Sequence, residues 1–469
     1  MKNQCTMEND NKNIGRRKFL KGLGVGTIGA TAAIIGCKPD NKTQSGRKNV
    51  TIGDVPTDKM TYRINPHTGD KVSLLGYGCM RWPLRKKSDG TEEIDQEAVN
   101  ELVDYAIAHG VNYFDTAPVY VQGWSEKATG IALSRHPRNK YFIATKLSNH
   151  RGTGPSFEEG IALYQKSFRD LQVDYFDYYL LHSLGGGGME QLKIRFLDNG
   201  LLDFILKEKA AGRIRNLGWS FHGDVEVFDY LLAMDIQWDF VQIQLNYQDW
   251  QHADGIRNVN AEYLYGELVK HNVPAIIMEP LLGGRLARVN KEALALMNEM
   301  HPEDSAAKWA FRFAGTPENV LTVLSGMVYM EHLQENIHTY SPLEPLVEQE
   351  YKVLEEVTEV LIDSNYIQCT ECQYCMPCPY GIDIPGVFGH YNRIVSAGKI
   401  LKSSNDENYK EARRAFLVGY DRSIPKLRQA NYCTNCELCK PKCPQSIDIT
   451  KEMLRVDNYA EQLRRESVF

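Results

Sequence analysis

Between Cys37 and Cys369 the chain contains a single cysteine, Cys79, although it has 11 in all. That gap excludes a disulfide framework, which distributes its cysteines along the domain it staples. Long apolar runs are also missing. The apolar stretch Gly22–Ile35 is fourteen residues broken by Gly24, Gly26 and Gly29, short of the roughly 20 that a membrane-spanning helix needs. No later segment is a better candidate. A basic stripe is lacking too: with a net charge of −6 and both signs interspersed, nothing points to nucleic acid. No flavin-binding motif is visible. What remains is an ordinary globular composition over 469 residues, enough for two or three domains and a large core.

The short apolar stretch has a different use. It follows Arg16, Arg17, Lys18 and Lys21 and ends on Ile34-Ile35-Gly36-Cys37. A basic segment, an apolar segment and a small-residue exit are the parts of an export signal. Arg-Arg-Lys-Phe-Leu-Lys resembles the twin-arginine address, which carries folded proteins, and the end resembles a lipobox. Residues 1–37 are therefore expected to direct export to the cell envelope, with lipidated Cys37 as a membrane anchor. Residues 38–59, polar and punctuated by Pro39, Gly46, Gly53 and Pro56, read as a tether.

From residue 60 to 340 short apolar runs alternate with segments of helical period. The expected strands are 73–78, 113–117, 141–146, 175–182, 214–220, 240–246, 274–280 and 319–325. Between the first two, Ala98, Leu102, Tyr105 and Ala106 share one helical face, which stops at Gly110. Eight strand–helix pairs in about 280 residues predict a closed (β/α)₈ TIM barrel, and 62–73 reads as a small hairpin plugging its bottom. In such a barrel chemistry sits at the C-terminal ends of the strands. Those ends carry Asp115, with Tyr120 in the following loop, then Lys146 and His182. Each motif alone is compatible with a structural ion pair and a core histidine.

Together, Phe-Asp-Thr-Ala-Pro-Val-Tyr, Ile-Ala-Thr-Lys and Tyr-Leu-Leu-His resemble the catalytic tetrad of the aldo-keto reductases. The resemblance implies a carbonyl–alcohol oxidoreductase with NAD(P). Tyr120 exchanges the proton, Lys146 lowers its pKa, Asp115 orients Lys146, and His182 donates to the substrate oxygen. It further implies that Ser220 and Gln242 hold the nicotinamide carboxamide. Leu324 and Gly326 border the phosphates, and Glu335 and Asn336 meet the adenine. Phe221, Met278, Met327, Val328 and His332 depart from the family pattern, so the choice between NAD and NADP stays open. Four consecutive glycines, 185–188, are either a mobile lip or an ordered loop with several positive-φ residues. Trp82, Trp124 and Trp250, in βα loops, either line the substrate mouth or simply pack.

Residues 341–365 read as a linker helix. Beyond it lie two copies of one pattern: Cys369, Cys372, Cys375 and Cys378-Pro379, then Cys433, Cys436, Cys439 and Cys443-Pro444. The second copy has the C-x₂-C-x₂-C-x₃-C-P spacing of two-cluster ferredoxins, whose fourth cysteine serves the other cluster. Two [4Fe–4S] clusters are therefore expected, Cys443 completing the first triad and Cys378 the second. Zinc would want two separated pairs around one ion. Residues 366–469 are expected to form a mainly α-helical, ferredoxin-like domain. Thiols exported unfolded would oxidise, whereas folded export protects assembled clusters. The whole resembles an aldo-keto reductase fused to a dicluster domain, acting on a small, sugar-like carbonyl or alcohol and exchanging electrons with a redox partner. An electron-transfer or adaptor protein with a non-catalytic barrel is the alternative. Hydride moves two electrons and a cluster one, and the sequence shows nothing that bridges them.

Overall fold

The computed structural model describes residues 54–149, 156–253, 258–401 and 403–465. The export signal, Cys37 and nearly all of the tether lie outside the described residues. Twelve strands are present among the described residues. Strands β1 (Tyr62–Ile64) and β2 (Lys71–Ser73) form an antiparallel hairpin. Next come β3 (Leu75–Gly78) and a second hairpin, β4 (Leu84–Lys86) with β5 (Glu92–Ile94). Then follow β6 (Tyr113–Asp115), β7 (Phe142–Leu147), β8 (Phe176–Gly185), β9 (Ile214–His222), β10 (Phe240–Gln244), β11 (Ala275–Met278) and β12 (Val320–Ser325). Strands β3 and β6–β12 close a parallel barrel in the order β10-β11-β12-β3-β6-β7-β8-β9, the (β/α)₈ architecture that the alternating pattern predicts.

Side chains alternate across each strand, and this places the chemistry. In β6, Phe114 packs outward among the helices, while Tyr113 joins an interior cluster with Ala144, Tyr178, Leu180 and Phe240. Two residues further on, each inward column reaches its polar tip: Asp115 above Tyr113, Lys146 above Ala144, His182 above Leu180. Gly218 lets β9 and β10 approach where it pairs with Phe240, since a Cβ there would stand 2.2 Å from the Phe240 carbonyl oxygen.

The β1–β2 hairpin sits at the opposite end. Arg63 donates to the carbonyls of Pro317, Val320 and Gly315. Asn65 donates to Asn216, and Tyr178 donates to Asp70. The bottom is thereby plugged, and ligands enter from the top.

The segment read as a linker helix is helical over Glu348–Ile362, but Leu354, Val357 and Leu361 bury into the barrel's own apolar layer. Beyond it, helices Ile384–Ser396, Tyr409–Ser423 and Ile449–Arg465 enclose a second core that includes Phe388, Tyr391, Phe416, Tyr420 and Val456. No helix among the described residues is long and apolar enough to cross a membrane.

Candidate active site

Asp115, Tyr120, Lys146 and His182 meet at the top of the barrel and line one cavity of about 1250 Å³. Lys146 Nζ donates to Asp115 Oδ1 at 2.5 Å and to the Thr116 carbonyl at 2.9 Å. The same ammonium stands 4.9 Å from the centre of the Tyr120 ring, and that ring meets His182 edge-on at 5.9 Å. Burial lowers the pKa of Lys146 and raises that of Asp115, each partly offset by the other.

Tyr120 differs from what the resemblance implies. Burial first, then repulsion from Tyr374 and Asp115, pushes the phenol well above 10.0. Lys146 lies over the ring face, and its attraction does not overcome the loss of water. The hydroxyl is thus held protonated, the form that donates to a developing alkoxide.

His182 is fixed by groups that no sequence motif marks. Ser148, two residues past Lys146, is 2.5 Å from His182 Nδ1. Arg195, buried and lowered by burial to about 10, donates to the carbonyls of His182 at 2.5 Å and Ser183 at 2.9 Å, and to Asn149 at 3.2 Å. Ser183 has φ 54°, so Arg195 holds the strand end in a backbone geometry that side-chain-bearing residues seldom adopt. The only trace in the sequence is an arginine amid the apolar residues Ile194, Phe196 and Leu197.

The expected cofactor residues border the same cavity. Ser220, Gln242, Leu324, Gly326, Glu335 and Asn336 all line it. Gln242 Oε1 is buried with no hydrogen-bond partner, an acceptor of the kind that a carboxamide N–H satisfies. The Ser220 hydroxyl accepts from the Ser183 N–H at 2.8 Å and keeps its own proton to donate. Asn336 donates to Ser325 at 3.0 Å, and Glu335 accepts from Ser305. Met278 lines the cavity, whereas Met327 is buried and its carbonyl accepts from Tyr77. This constellation fits a nicotinamide dinucleotide.

The glycine run is an ordered turn: β8 ends at Gly185, a short helix starts at Gly188, and Gly185, Gly187 and Gly188 have positive φ. None of the three loop tryptophans lines the cavity. Trp82 is buried against Tyr77 and donates to Thr129, Trp250 packs on Phe313, and Trp124 is half-exposed.

The eight C-terminal cysteines gather as two sets of four. Cys369, Cys372, Cys375 and Cys443 line one small void with Ile384, Phe388 and Ile449. Beyond burial, which comes first, Cys443 adds to the raised pKa of each thiol in that triad. Cys439 lies in the same way among Cys433, Cys436 and Cys378. Tetrahedral zinc, with bonds of about 2.3 Å, would draw four sulfurs to within about 4 Å of one another. Four thiolates spread around an apolar void suit the corners of an Fe₄S₄ cube.

Comparison with known proteins decides the family. Residues 74–359 match the aldo/keto reductase family, and residues 368–448 match the 4Fe-4S dicluster domain. The chain belongs to the aldo/keto reductase family. Among curated relatives, L-galactose dehydrogenase of Arabidopsis thaliana is 27% identical over 320 residues, covering 65% of this chain and 95% of that protein. Protein tas of Escherichia coli K12 is 31% identical over 207 residues, 38% of this chain and 56% of that protein. The oxidoreductase YqkF of Bacillus subtilis, uncharacterised, is 27% identical over 316 residues, 61% of this chain and 93% of that protein. An aldo-keto reductase from Bacillus halodurans in its holo form superposes with a TM-score of 0.51 at 24% identity, over 64% of this chain and 96% of that one. A thermostable aldo-keto reductase bound to the inhibitor epalrestat gives 0.50 at 21%, over 64% and 100%. Both show the same fold. This aldo/keto reductase is an oxidoreductase that carries a dicluster iron–sulfur domain at its C-terminal end.

Proposed function

We propose that the barrel interconverts a carbonyl and an alcohol on a small hydroxylated molecule of the aldose class, with NAD(H) as hydride carrier. The observation that carries this reading is the convergence of Asp115, Tyr120, Lys146 and His182 on one cavity. Ser220 and Gln242 would hold the nicotinamide, which supplies the hydride. The chain supplies the rest. A Ser148 hydroxyl that donates to Nδ1, 2.5 Å away, would leave the His182 proton on Nε2, from which it donates to the carbonyl oxygen, where charge develops. Tyr120, kept neutral by burial, delivers the proton. The aldose class is suggested by the likeness to L-galactose dehydrogenase. Cys369, Cys372, Cys375 and Cys443 are assigned to one [4Fe–4S] cluster, and Cys433, Cys436, Cys439 and Cys378 to the other, for single-electron exchange with a redox partner. Export by the twin-arginine route and anchoring through Cys37 complete the proposal.

Tyr120→Phe tests the reading. Removing a positioned acid costs about 10²–10⁴ in rate, so carbonyl reduction should fall by that factor while the visible and EPR spectra of the clusters stay unchanged. Turnover within twofold of wild type would remove Tyr120 from the chemistry. A second outcome concerns the cofactor. The cavity wall at Ser325–Asn336 includes Val328, Glu331 and His332 and no Lys or Arg. A carboxylate beside the adenine ribose favours two free hydroxyls over a 2′-phosphate. NADH should exceed NADPH about tenfold in kcat/KM, one pKa unit's worth of differential interaction; steady-state assays with each cofactor check it.

A further inference from the structure

The cavity that holds the tetrad is not built by the barrel alone. Cys372, Tyr374 and Met376, from the first cysteine loop, line it together with Tyr120 and His182. Three observations show that this loop is fixed there. Arg81, in the loop after β3, donates to the Thr370 carbonyl, and Arg285 donates to Gln368. Gly283, at φ 66°, leaves no space for a side chain, because a Cβ would stand 2.5 Å from Thr370. Within the loop, Glu371 at φ 53° and Gln373 at φ 65° turn the chain on either side of Cys372.

The second cysteine loop is an internal control. It has the same turns, Asn435 at φ 57° and Glu437 at φ 62°, and the same spacing up to its third cysteine. In register, Tyr374 between Cys372 and Cys375 corresponds to Leu438 between Cys436 and Cys439. Yet Leu438 is 57% exposed, beside the exposed Cys436, whereas Tyr374 enters the cavity. Its side chain lines the same cavity as Tyr120, Lys146 and His182. One loop architecture thus presents its middle residue to solvent in one copy and to the reaction centre in the other.

We propose that Tyr374 is a substrate-positioning residue of the carbonyl site, so that the first cysteine loop forms a wall of the substrate pocket and a bound molecule is felt at the first cluster and not at the second. This rests on the tetrad being the reaction centre. An aromatic wall confines a small substrate without taking part in proton transfer, so its loss acts on binding and leaves the chemical step largely alone. Leucine is the informative replacement, because the second copy carries it at the matching place in a loop of the same turns.

The experiment uses the full holoprotein with both clusters, 4-nitrobenzaldehyde as the carbonyl probe and NADH as reductant. Tyr374→Leu should raise KM for the aldehyde about tenfold, with kcat within about twofold and unchanged iron content; Leu438→Ala should change neither. Dithionite-reduced wild-type protein should show an altered EPR signal for one of its two clusters when NADH and benzyl alcohol, a pair that neither reacts together nor is reduced by dithionite, are added, and Tyr374→Leu should lose that response. An unaltered KM in an iron-replete Tyr374→Leu protein would overturn the inference. If that variant loses iron, the wild-type EPR comparison decides, and no ligand-induced change overturns it. Should Tyr120→Phe abolish turnover while Tyr374→Leu has no effect, only this inference fails. Should Tyr120→Phe leave turnover intact, the site assignment beneath it fails.

Discussion

Lys146→Met should be the most damaging single change in the barrel, lowering kcat/KM by about 10⁴ and destabilising the fold by about 3–5 kcal/mol. Lys146 is 1% exposed, and its ammonium satisfies both Asp115 and the Thr116 carbonyl. Asp115 Oδ2 already lacks a partner, so removing the cation leaves a buried carboxylate with no compensating charge. Desolvation already raises the Asp115 pKa with Lys146 present; without it the rise is larger. A folded-state carboxyl raised above its unfolded value favours the folded form only while protonated. The stability deficit of Lys146→Met should therefore shrink as pH falls through that raised value and grow as pH rises. Adding Asp115→Asn should recover the melting temperature and not the turnover, because a neutral pair no longer demands a buried charge yet supplies no ammonium. Thermal melts and steady-state kinetics of the single and double variants between pH 5 and 9 on the order of one unit apart read both effects.

Tyr120, proposed above as the acid, has its own pH signature. Because burial keeps the phenol above its usual range, carbonyl reduction should not decline through loss of this proton as pH rises towards that range. Alcohol oxidation, which needs the phenolate as base, should instead accelerate. This reverses the sequence expectation of a phenol lowered by Lys146, and the reason is spatial. The pattern places an ammonium next to a tyrosine but does not say that it lies over the ring, nor that Tyr374 of the first cysteine loop lines the same cavity.

That contrast marks what is legible in the chain. The eight barrel strands are, because each carries an apolar run bounded by turns, and because alternation stacks Asp115, Lys146 and His182 as the inward tips of three columns. The bottom hairpin is legible from its turn residues at 66–70. The hairpin Leu84–Ile94 is not anticipated: its exposed strands lack an apolar face, although Asp89-Gly90 is a turn signal. Ser148 and Arg195 escape as well, since their roles arise from contacts to His182 and Ser183 that no local period encodes. Tyr374 reads locally as a filler between two cysteines. Only the docking of its loop on Arg81 and Gly283 gives it a place in the cavity.

Cys443→Ser carries the second large expected effect, and it discriminates between two wirings of the cysteines. Cys443 belongs by sequence to the second run and by position to Cys369, Cys372 and Cys375. Its loss should therefore remove the first cluster and spare the second, lowering iron content from about eight to about four atoms per chain. The remaining reduced-state EPR signal should be the one that does not respond to ligands in the carbonyl cavity. Cys378→Ser should do the reverse, since Cys378 neighbours Cys439. The two losses are unequal in consequence. Cys443 is buried among Ile384, Phe388 and Ile449, in the core from which the helix Ile449–Arg465 starts, and the first loop walls the cavity through Tyr374 and Met376. Cluster binding energy is folding energy for such a loop. Cys443→Ser should thus weaken carbonyl binding as well as electron transfer, whereas Cys378→Ser, at the exposed Cys436 side, should leave the KM for 4-nitrobenzaldehyde unchanged. Were Cys443→Ser to spare the ligand-responsive signal, each run would hold its own cluster and the crossed arrangement would be wrong.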